Sequence, residues 1–375
     1  MTGHQTIYPS CIIFRVIRCD IGYTSMRKGL CCVDVSTTPH RTKIPHEFDL
    51  QVCYNIFMST ENNVDGPYRI YPQHVTSLLD IATQALNNDR DAAEALIARG
   101  GAWINRERVR VATAMVLPGM MVTIHTLPSY AHPCQLTSAA IIYQDRWLLA
   151  INKPVGSYVD ATPWDGDNHL RTELARLLAE SDQHPPLHPA HRLDRDTTGV
   201  LLFTQHPHAN AALQKIFVNH LAQKYYLCHV YGHPDWDTCD TDTGHGRSER
   251  GRFRIYPRDT VGDTLPNGDT IKQMRTTFHV IQRLVDGTSI IKAIPHTGRT
   301  HQIRLHIAEL GHAIVGDRSY GSATEAVQPH RLHAWQLTFP HPIHDTPITI
   351  IAPLPSWLPV DLTQTLAMTT TRGTN

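Results

Sequence analysis

Net charge is what this sequence lacks first. Lys+Arg and Asp+Glu number 34 each, which excludes a globally basic protein. Any binding of nucleic acid must then use a local basic face. Long apolar runs are missing too. No stretch approaches the roughly 20 residues of a membrane-spanning helix, and CIIF at 11–14 is too short for a signal-peptide core, so no membrane association is expected. Neither GxGxxG nor GxxxxGK[ST] occurs, so no motif cradles a nucleoside triphosphate. There is no HExxH and no paired CxxC. Of the eight cysteines, five precede residue 54 (Cys11, Cys19, Cys31, Cys32, Cys53) and the rest are scattered. That is no disulfide framework, and it points to a reducing compartment, here the cytoplasm.

Histidine, by contrast, is abundant at 25. His301, His306, Glu309 and His312 fall on a helix-like run, but the histidines are five and six apart. That spacing splays the rings around a helix rather than stacking two on one face. No metal and no other cofactor is expected; these rings are assigned to a bound partner, backbone or fold.

The most informative stretch is HRLDRDTTGVLLF at 191–203. Asp194 lies between Arg192 and Arg195 in a polar turn that runs into the apolar strand Val200 to Phe203. A carboxylate held on a loop by a buried strand serves as a nucleophile or a base. A second segment, TGRTHQIRLH at 297–306, supplies guanidinium groups that would keep it ionised. Residues 247–258, RSERGRFRIYPR, carry five arginines against one glutamate, and read equally as a basic RNA face or as a solvated hairpin.

Five segments in order resemble the RluA-type pseudouridine synthases, which isomerise uridine in RNA. They are NKPVG (152–156), HRLDRDTTG (191–199), QKYYLCHVYG (223–232), TGRTHQIRLH continuing to GHAIVGDRSYG (297–321), and RLHAWQLTFPHP (331–342). The resemblance covers roughly residues 138–353. It departs at Asp160, where histidine is common, at Thr198 for serine, and at Cys228 for alanine.

The resemblance implies a catalytic trio of Asp194, Tyr226 and Arg304. Making pseudouridine breaks a carbon–nitrogen glycosidic bond, rotates the uracil and rejoins it through carbon 5. One carboxylate suffices, because the base stays bound and its carbonyls spread the departing charge. Asp194 would attack the ribose or abstract one of its protons; both routes stay open. Arg304 would hold Asp194 ionised, the alternative being a surface ion pair of little worth. Tyr226 would stack on the uracil; a phenol is a poor base near neutral pH, and a plain core tyrosine is the other reading. Arg192 would touch phosphate or fill the gap left by a flipped nucleotide, unless it pairs with Asp196. Arg299 would bind phosphate, and Lys153 would reach RNA from the turn set by Pro154 and Gly156.

Along the chain, residues 1–57 match nothing in the family. Met58 precedes the polar STENNVDGP, which suggests that translation begins there; a targeting or accessory segment is the rival. Residues 58–71 read as a flexible start. Residues 72–127 read as two helices and two strands, TSLLDIATQALN capped by Thr76 or Ser77 and DRDAAEALIARGG ending at Gly100. This resembles the small RNA-binding module of a ribosomal small-subunit protein, with Arg90, Arg99, Arg106, Arg108 and Arg110 available to phosphates; a packing appendage is the alternative. Residues 128–137 are a proline-containing linker, 138–353 the catalytic domain, and 354–375 a disordered tail. The expected class is α+β: a mixed, largely antiparallel sheet with flanking helices, plus a small N-terminal α/β module.

The function expected is isomerisation of uridines in RNA, first in large-subunit ribosomal RNA and second in transfer RNA, by a monomer without an obligatory protein partner. Two rivals are weaker. A phosphotransferase would explain HRLD as a kinase-like loop, but no nucleotide loop accompanies it. A non-catalytic RNA-binding protein would have lost Asp194, Tyr226 or Arg304, and all three are present.

Overall fold

The computed structural model describes residues 67–371 except 130, 180–183, 249–251 and 322–328. The chain divides into two units, Met1–Phe57 and Met58–Asn375. The first, and with it the expected start at Met58, lies outside the described residues.

The second unit opens with β1 (Tyr68–Ile70), β2 (Thr76–Ser77), α1 (Leu78–Ala85), α2 (Arg90–Arg99), β3 (Ala102–Ile104), β4 (Glu107–Arg108), β5 (Met115–Val116) and β6 (Val122–Ile124). Ser77 and Asp89 cap the two helices by accepting the N–H of Asp80 and Ala92, each satisfying a donor that the first turn leaves free. Gly100, left-handed at φ 87°, closes α2. Leu78, Ile81 and Ala82 of α1 pack on Ala93, Leu96 and Ile97 of α2 and on the wholly buried β6. The flexible start assigned to residues 58–71 needs correction at Tyr68–Ile70, which pairs antiparallel with Val122–Ile124; residues 58–66 lie outside the described residues. The buried β6 has ladder groups on both edges, and β1 satisfies one of them.

The remainder contains β7 (Ile141–Gln144), β8 (Leu148–Lys153), α3 (Leu170–Ala179), β9 (His188–Pro189), β10 (Thr198–Thr204), α4 (Pro207–Val218), β11 (Gln223–Tyr231), β12 (Thr238–Arg247), β13 (Phe253–Tyr256), β14 (Lys272–Arg283), β15 (Thr288–Pro295), α5 (Gln302–Glu309), β16 (Leu332–Pro340), β17 (Pro347–Ile351) and α6 (Val360–Thr371). Its sheet runs β13-β12-β14-β15-β11-β16-β10-β8-β7, with β17 on β16 and β9 on β10. The pairs are antiparallel except β10 with β16. The α+β class with a largely antiparallel sheet is as expected.

Alternation along the strands decides which helix covers which face. Leu149, Ile151, Leu201 and Phe203 pack with Leu170 and Leu174 of α3. Their neighbours Leu148, Ala150, Val200 and Leu202 pack with Leu213 and Ile216 of α4. On β11, Tyr226, Cys228 and Val230 lie with Ile303 and Ile307 of α5, whereas Leu227 lies with Leu358 and Leu362. That last contact corrects the disordered tail as far as Thr371, and residues 372–375 lie outside the described residues. Residues 360–371 form α6, because its leucines cover the second face of β11. The linker is also packed: Cys134 is buried and donates its N–H to Asn168 Oδ1 at 2.6 Å.

Candidate active site

The loop 191–197 hangs between β9 and β10, and the parallel pairing of β10 with β16 sets its exit. At Gly199 the backbone is left-handed (φ +103°), and a Cβ there would lie 2.1 Å from the Ala334 carbonyl oxygen. Only glycine allows the strands to approach so closely. Thr197 Oγ1 and Thr198 Oγ1 are hydrogen-bonded to His330 Nε2 and His333 Nδ1 at 2.9 and 2.7 Å. Burial pushes both of those rings down to about 4, so they remain neutral props. The loop carries Asp194 partly exposed, at 23% of its side chain.

Arg304 enters from the first turn of α5. Its Nη1 donates to Asp194 Oδ2 at 2.9 Å, while Nε and Nη2 donate to the two oxygens of Asp317 at 2.7 and 2.8 Å. Its plane lies 5.2 Å over the Tyr320 ring. Arg304 and Asp317 are both buried. Burial opposes the guanidinium charge, but the Asp317 hydrogen bonds and the Asp194 charge outweigh it and hold Arg304 above its ordinary value. Burial likewise opposes the Asp317 charge, yet Arg304 and the Ser319 N–H keep that carboxyl below the usual range. The group is therefore a buried cation clamped by one carboxylate, with one donor left over for a second. A lone arginine of this burial would carry a large desolvation penalty; the paired arrangement offsets it.

Asp194's other oxygen faces His301, with Nε2 3.8 Å from Oδ1. His301 adopts the left-handed conformation (φ 58°) at the start of α5 without capping it by its side chain. Gln302 ties the turn before the helix, its Oε1 accepting from Arg299 N and Thr297 Oγ1. Tyr226 stands on the α5 face of β11. Burial, reinforced by the Asp194 charge, pushes its phenol above the ordinary range, which keeps it protonated and unsuited to act as a base.

The family model described as RNA pseudouridylate synthase matches residues 147–309, which hold Asp194, Tyr226 and Arg304. RNA pseudouridine synthase 1 of Oryza sativa subsp. japonica is 34% identical over 269 residues, covering 60% of this chain and 76% of its own. The dual-specificity RNA pseudouridine synthase RluA of Vibrio vulnificus is 34% identical over 208 residues, covering 54% and 78%. The chain belongs to the RluA-type RNA pseudouridine synthase family. Ribosomal large subunit pseudouridine synthase C of Vibrio cholerae is 28% identical over 302 residues, covering 76% of this chain and 91% of its own. The protein is an isomerase acting on RNA.

Other expected site residues of this synthase sit differently. Lys153 cannot reach RNA: it is fully buried, and its Nζ donates to the carbonyls of Pro154 and Arg195 at 2.9 and 2.6 Å. Burial pushes its ammonium down to about 7, against the pull of Asp196 and Asp194. It ties the end of β8 to the Asp194 loop. Arg299 is partly buried and donates Nε to Gln273 O at 2.9 Å. Arg192 is exposed, and Asp196 pairs with Arg195 instead, at 2.8 Å.

In the N-terminal part, Arg106 is exposed but Arg108 is not free for phosphate. Its Nη1 and Nη2 donate to Gly100 O and Thr162 O at 2.9 and 2.5 Å, and its plane covers Trp103 at 4.7 Å. A Cβ on Gly100 or Gly166 would each lie 2.7 Å from Arg108 Nη1, so the two glycines make its channel. Arg110 holds both oxygens of Asp167, Arg99 donates to Trp164 O, and Arg90 pairs with Glu94. These arginines bind the loop 162–167 or their own helix.

Asp317 and Tyr320 escaped the sequence reading, and His301 entered it only among the histidines of the helix-like run. The one available signal was GDRSYG at 316–321, an acidic turn bracketed by glycines directly after the arginine segment. Each remaining histidine of the α5 run has a partner within the fold: His306 bonds Thr276 and Thr243, and His312 bonds Tyr231 O.

Proposed function

We propose that Asp194 carries out the isomerisation, with Arg304 orienting its carboxylate and Tyr226 presenting a protonated phenol ring to the uracil. The supporting observation is the 2.9 Å donation from Arg304 to the partly exposed Asp194. Asp194 attacks the ribose or removes a proton from it, and the glycosidic bond breaks; the retained uracil turns and bonds through carbon 5, which frees Asp194 from the sugar or returns the sugar proton, while carbon 5 gives up its proton and nitrogen 1 gains one. Arg192, exposed beside Asp194, is placed to occupy the space of an extruded nucleotide.

Large-subunit ribosomal RNA is the substrate we assign. The Vibrio cholerae relative bearing that name aligns over 76% of this chain, more than the catalytic part occupies, so the N-terminal part belongs to the likeness. That part, residues 68–127, is read as an RNA-binding module acting through Arg106. Transfer RNA is the second reading, favoured by the inward commitment of Arg108 and Arg110. The cytoplasm is the assigned compartment: the described cysteines Cys134, Cys228 and Cys239 are all unpaired, as a reducing milieu keeps them. No helix among the described residues is long and apolar enough to cross a membrane.

The test is a nucleotide-resolution pseudouridine map of total RNA from cells with and without the gene, complemented by wild type or by Asp194→Ala. Loss of ribosomal sites that wild type restores and Asp194→Ala does not is the expected result, with the rate down by at least about 10³-fold. Loss confined to transfer RNA would overturn the substrate; restoration by Asp194→Ala would overturn the catalytic assignment.

A further inference from the structure

Two oxygens of Asp194 meet two different partners, and both partners are held by the same short turn. Arg304 reaches Oδ2, and two further donors, on Nε and Nη2, are locked on Asp317. His301 faces Oδ1, and its other ring nitrogen, Nδ1, is 2.8 Å from the Tyr320 hydroxyl. Asp317 also accepts the N–H groups of Ser319 and Tyr320, and Gly321 N closes the turn on Asp317 O. The ring of Tyr320 lies under the Arg304 guanidinium and meets His301 edge-on at 5.6 Å. Four residues thus fix what touches Asp194 from both sides.

The strain at His301 points the same way. A non-glycine residue at φ 58° carries an energetic cost that persists only where its surroundings over-determine it. Asn or Gly would relieve it. A histidine there places a ring nitrogen near the carboxylate that neither would provide. Phe253 of β13 also meets the ring edge-on at 5.6 Å. We infer that His301, held by the Tyr320 hydroxyl, is a positioning residue that orients Oδ1 of Asp194, making the Asp317–Tyr320 turn the template of the catalytic carboxylate. This rests on the proposed role of Asp194.

Charge supports the assignment. The groups facing His301 are Asp194 from its loop, Arg304 of α5, and Asp317 and Tyr320 of the turn. His245 of β12, hydrogen-bonded to Thr300 O, lies behind it, and Arg252 of the hairpin faces Tyr320. Burial lowers His301's affinity for protons more than Asp194 raises it, so a neutral ring results. A neutral imidazole with its Nδ1 accepting from Tyr320 O–H carries its proton on Nε2, the nitrogen aimed at Asp194. Tyr320 in this way sets the tautomer as well as the angle.

The experiment compares wild type, Asp194→Asn, Tyr320→Phe, His301→Gln and His301→Leu as full-length protein. Total RNA from cells lacking the gene is the substrate. Single-turnover rate constants, normalised to active fraction, are followed from pH 5.5 to 9 beside RNA retention on filters and thermal midpoints. Tyr320→Phe removes one hydroxyl and leaves the ring under Arg304. The inference expects its rate constant to fall on the order of tenfold to a hundredfold, with RNA retention and midpoint near wild type. It expects His301→Gln, which keeps a donor near Oδ1, to retain more rate than His301→Leu, and the pH dependence below 7 to differ from wild type. Wild-type rate constants for Tyr320→Phe, or losses tracking the thermal midpoint alone, would overturn the inference. Activity in Asp194→Asn would instead overturn the reading on which it rests.

Discussion

Arg304 and Arg108 are both arginines singled out for RNA chemistry, both end on oxygens of their own chain, and they differ in what is left over. Arg304 gives two donors to a buried carboxylate and one to the exposed face of Asp194. Arg108 gives its donors to two backbone carbonyls, Gly100 O within the N-terminal part and Thr162 O on the loop 162–167. A guanidinium has five donors in a fixed fork, so the first geometry keeps a charge pointed at the proposed reacting group and the second does not. Arginine content therefore says little about RNA contact until partners are known.

The sharpest break in that comparison is Arg304→Met. It leaves Asp317 buried without a counter-charge, and removing one partner of a buried pair costs about 3–5 kcal/mol. The double variant Arg304→Met/Asp317→Leu is expected to recover most of that stability in denaturant unfolding while remaining inactive. Recovery of activity together with stability would show that Arg304 serves packing alone.

Next in size is a dependence on pH. His306, His330 and His333 are buried, and burial pushes each ring from 6.5 down to about 4. The unfolded chain binds protons there before the folded one does. Stability is therefore full above about pH 6.5 and is lost as pH falls toward 4, by about 1–3 kcal/mol per ring. Thermal midpoints should decline from pH 6.5 downward, ahead of carboxylate titration. A flat profile to pH 5 would contradict it. His330→Gln should reduce the slope.

The smallest effects separate the N-terminal arginines. Arg108→Ala should lower stability by about 1–2 kcal/mol through lost hydrogen bonds and stacking, without altering the salt dependence of RNA binding. Arg106→Ala should leave unfolding unchanged and reduce the slope of log affinity against log salt by about one. An identical salt slope in both would make the N-terminal part a packing appendage.

Local signals reached far. Ser77, Asp89 and Gly100 mark helix ends by their side chains or lack of one, and the structure uses all three. Asp194, Tyr226 and Arg304 could be named because each stands in a segment whose pattern survives without neighbours. Lys153 could not be judged, since a lysine beside a turn reads as exposed and only the packing of β8 under the 191–197 loop buries it. The tail could not be judged either, as its leucines gain meaning only against the second face of β11.

What the order of residues determined by itself was the chemistry on offer: a carboxylate on a loop before an apolar strand, an arginine on a following helix, and glycine where two backbones meet at Gly199. Only tertiary structure decided who faces whom. Arg304 and Asp194 are 110 positions apart, and Asp317 and Tyr320 acquire their roles because the turn after α5 folds back over its first residues. Partnership of that kind depends on distance and burial in three dimensions, and charge energies follow those quantities far more steeply than they follow sequence.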